Sequence, residues 1–273
     1  MTAASLRNPS VAAGPRLAHG GKTVYGATVG ILMLDTLFPR VPGDMCNAET
    51  WPFPVLFKVV KGANAARVAA RDRGMLDDFI AGGRELVAQG ADGITTNCGF
   101  LTHYQAALTE ALGVPVAASS LFQVPLIDAL LPPGKRSGVI TFNGPNLKPD
   151  LLVAAGAAAD TPVAGTEGGT EFCAAIHANR LQMDIAAAEA DVLAAGDDLV
   201  ARHPEVGAVV LECTNLTPYA AALSERLRLP VFSIYTFLTW FQAGLSPRAF
   251  GHPSSQALPF RERGPGGIEQ ETR

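Results

Sequence analysis

Two stretches of this 273-residue chain carry one pattern without a gap, Asp92–Val116 and Gly207–Val231, with Cys98 falling on Cys213. Identical pairs include Leu101/Leu216, Thr102/Thr217, Tyr104/Tyr219, Leu108/Leu223, Glu110/Glu225, Leu112/Leu227 and Pro115/Pro230. Ala-rich helices match one another by chance, so the weight rests on the matched Cys, Thr, Tyr and Pro. Each copy reads as a short apolar strand, a loop beginning with Cys, and a helix started by Thr. Thr102 with Gln105 has capping-box spacing, and Thr217 precedes a proline suited to the first helical position. Both cysteines therefore fall at the carboxyl end of a strand, just ahead of a helix, where open α/β sheets place their ligands. A repeat of that unit predicts two pseudo-symmetric lobes facing one another across a cleft.

The rest of the chain fits such a fold. Strands are expected at Val24–Leu34, Val55–Val60, Gly93–Thr96, Val114–Ala117, Gly138–Phe142, Thr161–Ala164, Val206–Leu211 and Val231–Ile234. Helical patterns separate them at 73–89, 102–112, 122–131, 146–155, 181–203 and 217–227. Several strands lack in/out alternation, as parallel strands covered on both faces do. The fold class is α/β, doubly wound, with Rossmann-like lobes and parallel sheets. We expect a first lobe from 22–118 with 217–250, a second from 119–216, and tails at 1–21 and 251–273.

Composition removes several other functions. With 48% hydrophobic and 17% charged residues the chain can build a core. A net charge of −4 without a basic stripe gives no footprint for nucleic acid. The most apolar stretch, 24–38, is broken by Asp35 and is too short to span a bilayer. The first residues lack the apolar centre of a secretory signal. Four cysteines lie far apart without C-x-x-C spacing, which fits neither a disulfide framework nor a zinc site. Together these point to a cytoplasmic protein with no nucleic-acid or membrane partner.

A cysteine ahead of a helix feels the positive end of the helix dipole and nearby amide donors, which favour thiolate. Two such cysteines on opposite walls suit proton transfer at both faces of one carbon. A thiolate removes the proton and a thiol returns one from the other side, while amide and hydroxyl donors stabilise the carbanion.

The segments Gly93-Ile-Thr-Thr-Asn-Cys98-Gly-Phe and Val210-Leu-Glu-Cys213-Thr-Asn resemble the cofactor-independent aspartate/glutamate/hydantoin racemase superfamily. The run Met33-Leu-Asp35-Thr-Leu-Phe-Pro-Arg40-Val-Pro-Gly43-Asp44 is similar to members of the same group. The resemblance implies two Rossmann-like lobes, a small carboxylate-bearing or hydantoin-like substrate, no PLP or other cofactor, no metal, and a homodimer. It makes Cys98 and Cys213 the acid/base pair, with Thr96, Asn97, Gly99, Thr214 and Asn215 around the substrate. Racemases of the group often carry Asn-Thr after the first Cys, where this chain has Gly99-Phe100. Glutamate racemases have Asp-Ser-Gly and Cys-Thr-His where it has Asp35-Thr36-Leu37 and Cys213-Thr214-Asn215. The leading expectation is a racemase or epimerase. A Cys-dependent cis–trans isomerase or lyase, and a relative that binds without catalysis, stand beside it.

Other residues have competing readings. Asp35 ends the first strand and would orient a substrate ammonium or simply hold a turn. Arg40 would hold a carboxylate through its planar fork or be a surface cation. Asn143 follows a strand end and would bind substrate or begin the Asn-Gly-Pro turn. Cys46 and Cys173, which have no repeat partner, read as structural. His103 would be needed by a Cys–His hydrolase but faces Pro218 in the repeat; His177 and His203 lack metal-ligand spacing. The loop 165–170 has no Gly-Lys-Ser/Thr and is not a phosphate cradle.

Overall fold

The structure is a computed structural model and describes residues 17–70, 72 and 74–250. The tails expected at 1–21 and 251–273 therefore lie, apart from 17–21, outside the described residues.

Strands β1 (Val29–Leu34), β2 (Val55–Val60), β3 (Gly93–Thr96) and β4 (Val116–Ala117) form one parallel sheet in the order β2-β1-β3-β4. Strands β5 (Arg136–Thr141), β6 (Val163–Gly165), β7 (Val206–Leu211) and β8 (Val231–Phe232) form a second parallel sheet in the order β6-β5-β7-β8. The two orders are the same with every strand advanced by four, so the repeat extends to whole lobes.

Strand alternation divides each core. In β1, Leu32 and Leu34 pack on helix α2 (Gly74–Gln89) through Phe79 and Leu86, and on α3 (Gln105–Leu112) through Leu108. The intervening Val29 and Ile31 face Ile234, Phe237 and Leu238 of helix α9 (Ile234–Leu245). In β7, Val209 and Leu211 meet α7 (Ile185–Arg202) and α8 (Ala220–Leu227), while Ala208 and Val210 face α4 (Val124–Asp128) and α5 (Pro149–Ala154). Short helices α1 (Ala65–Ala69) and α6 (Phe172–His177) sit near the carboxyl ends of the sheets.

The chain crosses between lobes twice, and the crossings match. After β4 it enters α4, which covers the second sheet; after β8 it enters α9, which covers the first. Ser119 and Ser233 cap the helical turns that begin there. Gln123 ties the crossings together, donating to the Ser233 carbonyl at 3.0 Å and accepting from the Thr236 hydroxyl at 2.9 Å. This corrects one boundary. The sequence pattern assigns 217–232 to the first lobe, yet β8 pairs with β7 and α8 packs on α7; only α9 returns to the first sheet. The pattern also misses the helix at 234–245, because the strand expected at 231–234 runs straight into an apolar segment that only Thr236, Thr239 and Gln242 interrupt.

The repeat is visible in element bounds. The 3₁₀ turns Gly99–Tyr104 and Thr214–Tyr219 each begin directly after the cysteine and lead into α3 and α8 at matching positions. The expected capping by Thr102 is not formed. Its hydroxyl donates to the Gly99 carbonyl, as that of Thr217 does to Thr214, and Gln105 instead bonds the Val116 carbonyl and the Ala118 amide. Cys98 and Cys213 occupy the cap position, both in extended backbone. Among the described residues no helix is long and apolar enough to cross a membrane.

Candidate active site

Because β3 and β7 end at corresponding places, the loops that follow bring Cys98 and Cys213 to the wall of a single pocket between the sheets. Asn97, Gly99 and Asn215 also line it, with Arg40, Glu212, His177 and an apolar surface that includes Phe38, Phe100 and Phe142.

The remaining expected residues are placed elsewhere. The Asp35 carboxylate accepts from the Gly62 amide at 3.2 Å, holding the turn after β2, and is not part of the pocket wall. The Thr96 hydroxyl is fully buried, 2.8 Å from the Ala118 carbonyl. Asn143 caps the turn at 144–146, accepting from the Asn146 amide at 3.1 Å, and Asn146 lines the pocket in its place. The Thr214 hydroxyl crosses between the lobes and donates to the Asn97 carbonyl at 2.8 Å. In each case a short polar side chain at a strand end is consumed by a backbone group, which for the buried Thr96 and Thr214 is what burial requires. His103 likewise pairs its Nδ1 with the Phe100 carbonyl at 2.6 Å.

Arg40 is not a surface cation. The segment between β1 and β2 passes over the cleft and seats Phe38 in the core of the second lobe, with the Leu37 and Phe38 amides donating to the Asn179 side chain. Gly43, at φ +99°, lies against Pro218, where a Cβ would come within 2.9 Å of the proline backbone. The Arg40 side chain, 16% exposed, stacks on Phe38, donates to Thr36 at 2.7 Å and pairs with Asp44 at 3.2 Å. Asp44 is itself buried and also accepts from Asn215 at 2.6 Å and from the Cys46 amide at 2.8 Å. Cys46 accepts from the Asn97 side chain at 3.3 Å, and burial pushes its thiol up to about 12.

The thiols do not have the ionisation expected of them. Burial, and next the charge of Glu212, push Cys98 up to about 12, although the Phe100 and Leu101 amides and Arg40 favour its thiolate. Burial, and next Glu212, also raise Cys213 well above its ordinary value, against one favourable amide contact from Asn215. Desolvation by the surrounding pocket, in which both cysteines keep partial exposure, outweighs the helix-end donors. Both groups are thiols at neutral pH in the free protein.

Glu212 is a pocket residue that the sequence pattern does not single out. A signal for it exists all the same: an acid closes the apolar run Val209–Leu211 directly before a repeated cysteine.

No protein-family model matches the chain. Among solved structures, unliganded arylmalonate decarboxylase superposes with a TM-score of 0.54 at 17% identity, covering 84% of this chain and 96% of that one. Allantoin racemase from Pseudomonas fluorescens gives 0.55 at 17% identity, covering 80% and 90%. The fold is the one these solved structures share, two parallel-sheet lobes, as the sequence resemblance implied. In sequence the chain is similar to dimethylsulfoniopropionate lyase 5 of Emiliania huxleyi strain CCMP1516, 30% identical over 238 residues, 82% of this chain and 46% of that protein. It is also similar to a dimethylsulfoniopropionate lyase of Durusdinium sp. clade D, 23% identical over 251 residues, 87% and 79% of the two. The chain spans about half the length of the Emiliania relatives it matches.

Proposed function

We propose that this chain is a cofactor-independent enzyme that uses a cysteine to remove a proton next to a carboxylate, and that it is a lyase expelling a leaving group from the neighbouring carbon. The observation that carries this reading is the meeting of Cys98 and Cys213 in one pocket beside Arg40. The lyase class, in place of the racemase first expected, is supported by the named sequence relatives.

A dimethylsulfonio carboxylate suits the pocket chemically. Arg40 would attract the carboxylate, and the faces of Phe100 and Phe142 would take the cationic sulfonium. That positive charge would also favour thiolate in a pocket that otherwise suppresses it. The thiolate takes the proton from the carbon next to the carboxylate. The C–H electron pair becomes the new C=C bond, and the C–S bond breaks with its electrons leaving on the neutral dimethyl sulfide. The products are the unsaturated carboxylate, the sulfide and a protonated cysteine. In this reading the protein works in the cytoplasm without PLP or metal.

Retention of the second cysteine favours a racemase or epimerase as the alternative reading. One experiment separates the two. Purified protein is given dimethylsulfoniopropionate, and in parallel a panel of amino acids, hydantoins and 2-substituted dicarboxylates in D2O. Sulfide release, read by gas chromatography and lost on cysteine substitution, supports the lyase. Cysteine-dependent hydrogen exchange without elimination, read by proton NMR, transfers the assignment to a racemase. Absence of both across the panel overturns the carbon-acid reading for these substrates.

A further inference from the structure

Glu212 is 1% exposed, yet it lines the pocket that holds both cysteines. Its Oε2 accepts from the Thr141 hydroxyl of β5 at 2.6 Å, whereas its buried Oε1 has no hydrogen-bond partner. Oε1 would clash with a Cβ on Gly99, so the carboxyl is pressed against the loop of Cys98 while its backbone precedes Cys213. A buried carboxyl oxygen without a partner is costly, and such a group in a functional pocket needs a reason.

We propose that Glu212, wedged between the two cysteine loops, is a positioning residue whose charge governs whether Cys98 and Cys213 ionise. An ionised Glu212 opposes thiolate on both sides, and a neutral Glu212 releases that opposition. Burial brings the carboxyl up to about 7, against the favourable bond from Thr141, so the change falls near neutral pH. Other charges act on the thiols too: Arg40 favours the Cys98 thiolate, while Asp44 and Cys98 itself oppose that of Cys213. Of these groups only Glu212 acts on both thiols; His177 lines the same pocket but is not among the charges acting on either. The functional meaning rests on the cysteines being the acid/base pair, but the effect on the thiols does not.

The test reads the thiols directly in the full chain, by peptide mass spectrometry of iodoacetamide labelling from pH 6 to 9. In the wild type, the logarithm of each labelling rate should flatten near pH 7, where Glu212 ionises, then resume its climb. In Glu212→Gln, which keeps size and shape, the profile should be straight. Labelling at pH 8 should then be about three- to tenfold faster, since a pKa lowered by one unit gives tenfold more thiolate of somewhat weaker nucleophilicity. Thr141→Val removes the bond that keeps Glu212 ionised, so it should move the flattening to higher pH and also speed labelling at pH 8. That variant decides the matter if Glu212→Gln does not fold. Unchanged profiles in the folded variants overturn the proposal. Shifted profiles in a protein whose cysteines prove dispensable for turnover would retain it and remove the catalytic reading instead.

Discussion

The two cysteine loops share a backbone and differ in nearly every polar side chain around the cysteine. Before Cys98 stands Asn97, whose side-chain amide is engaged at both ends, accepting from the Leu34 amide at 2.8 Å and donating to Cys46. At the matching place before Cys213 stands Glu212, half engaged. After Cys98 comes Gly99, which leaves room for that carboxyl; after Cys213 come Thr214 and Asn215, which bond across to Asn97 and Asp44. The second loop thus fastens the lobes together, and the first is shaped to receive its neighbour. Two backbone amides and Arg40 assist the Cys98 thiolate, while Cys213 has one amide and more opposing charge. Racemisation in both directions asks for equivalent thiols, whereas elimination needs one base.

The strongest way to break this comparison is to remove each thiol in turn. With Cys98 as the base, Cys98→Ser should lower sulfide release by about 10³-fold or more, and Cys213→Ser by about 10- to 100-fold, within the range of general acid–base effects. Initial rates on dimethylsulfoniopropionate decide it. Equal losses would mean that the unequal surroundings have no functional weight and would return the pair to a symmetric role.

Next in size is the segment over the cleft. Arg40→Ala leaves Asp44, whose side chain is 4% exposed, without its cation. Breaking a buried ion pair from one side should cost about 3 kcal/mol in urea unfolding, and the lost carboxylate anchor should raise KM. The double variant Arg40→Ala, Asp44→Asn should regain most of the stability and none of the affinity. Recovery of both would show that Arg40 supports the fold alone.

Glu212 gives a smaller effect with a defined pH dependence. Its folded-state pKa of about 7 lies above the ordinary 4.5. Between those values the native state holds the proton that the unfolded state has lost, so stability falls as pH rises through this window and levels above it. The full penalty is about 3 kcal/mol, from roughly 1.4 kcal/mol per pH unit. Glu212→Gln should therefore raise Tm at pH 8 and lose that advantage at pH 4. A gain of equal size at both pH values would point to packing.

How much of this is legible in the sequence follows from the same contrast. Features present twice can be read: the repeat places Cys98 and Cys213 in equivalent loops, and all eight strands lie within a few residues of where apolar runs put them. Features present once are read only in part: Asn97, Gly99 and Asn215 line the pocket, as the resemblance implied. Arg40 and Asp44 act through contacts with Phe38, Asn215 and Cys46 that only the crossing of the cleft creates. Asp35, Thr96, Asn143 and Thr214 sit at strand ends, where sequence cannot tell a side chain offered to a ligand from one bonded to the adjacent backbone. The thiol ionisation escapes a sequence reading because helix-end donors are visible there and the depth of burial is not.

The smallest expected effect isolates the backbone of the repeat. Helix α3 ends at Gly113 with φ 62°, and α8 ends at the matching Arg228 with φ 55°, both left-handed. Glycine takes that conformation without steric penalty, whereas an L side chain there costs about 1 kcal/mol. The Arg228 side chain is exposed, so its removal leaves no hole in the core. Arg228→Gly should raise unfolding stability by somewhat less than about 1 kcal/mol, since glycine also gains freedom in the unfolded chain. Gly113→Arg should lower it by a similar amount. Opposite signs in equilibrium unfolding would show that the two helix ends are interchangeable in their backbone. A loss from Arg228→Gly would instead mean that the arginine has acquired a role in the second lobe that the glycine never had in the first.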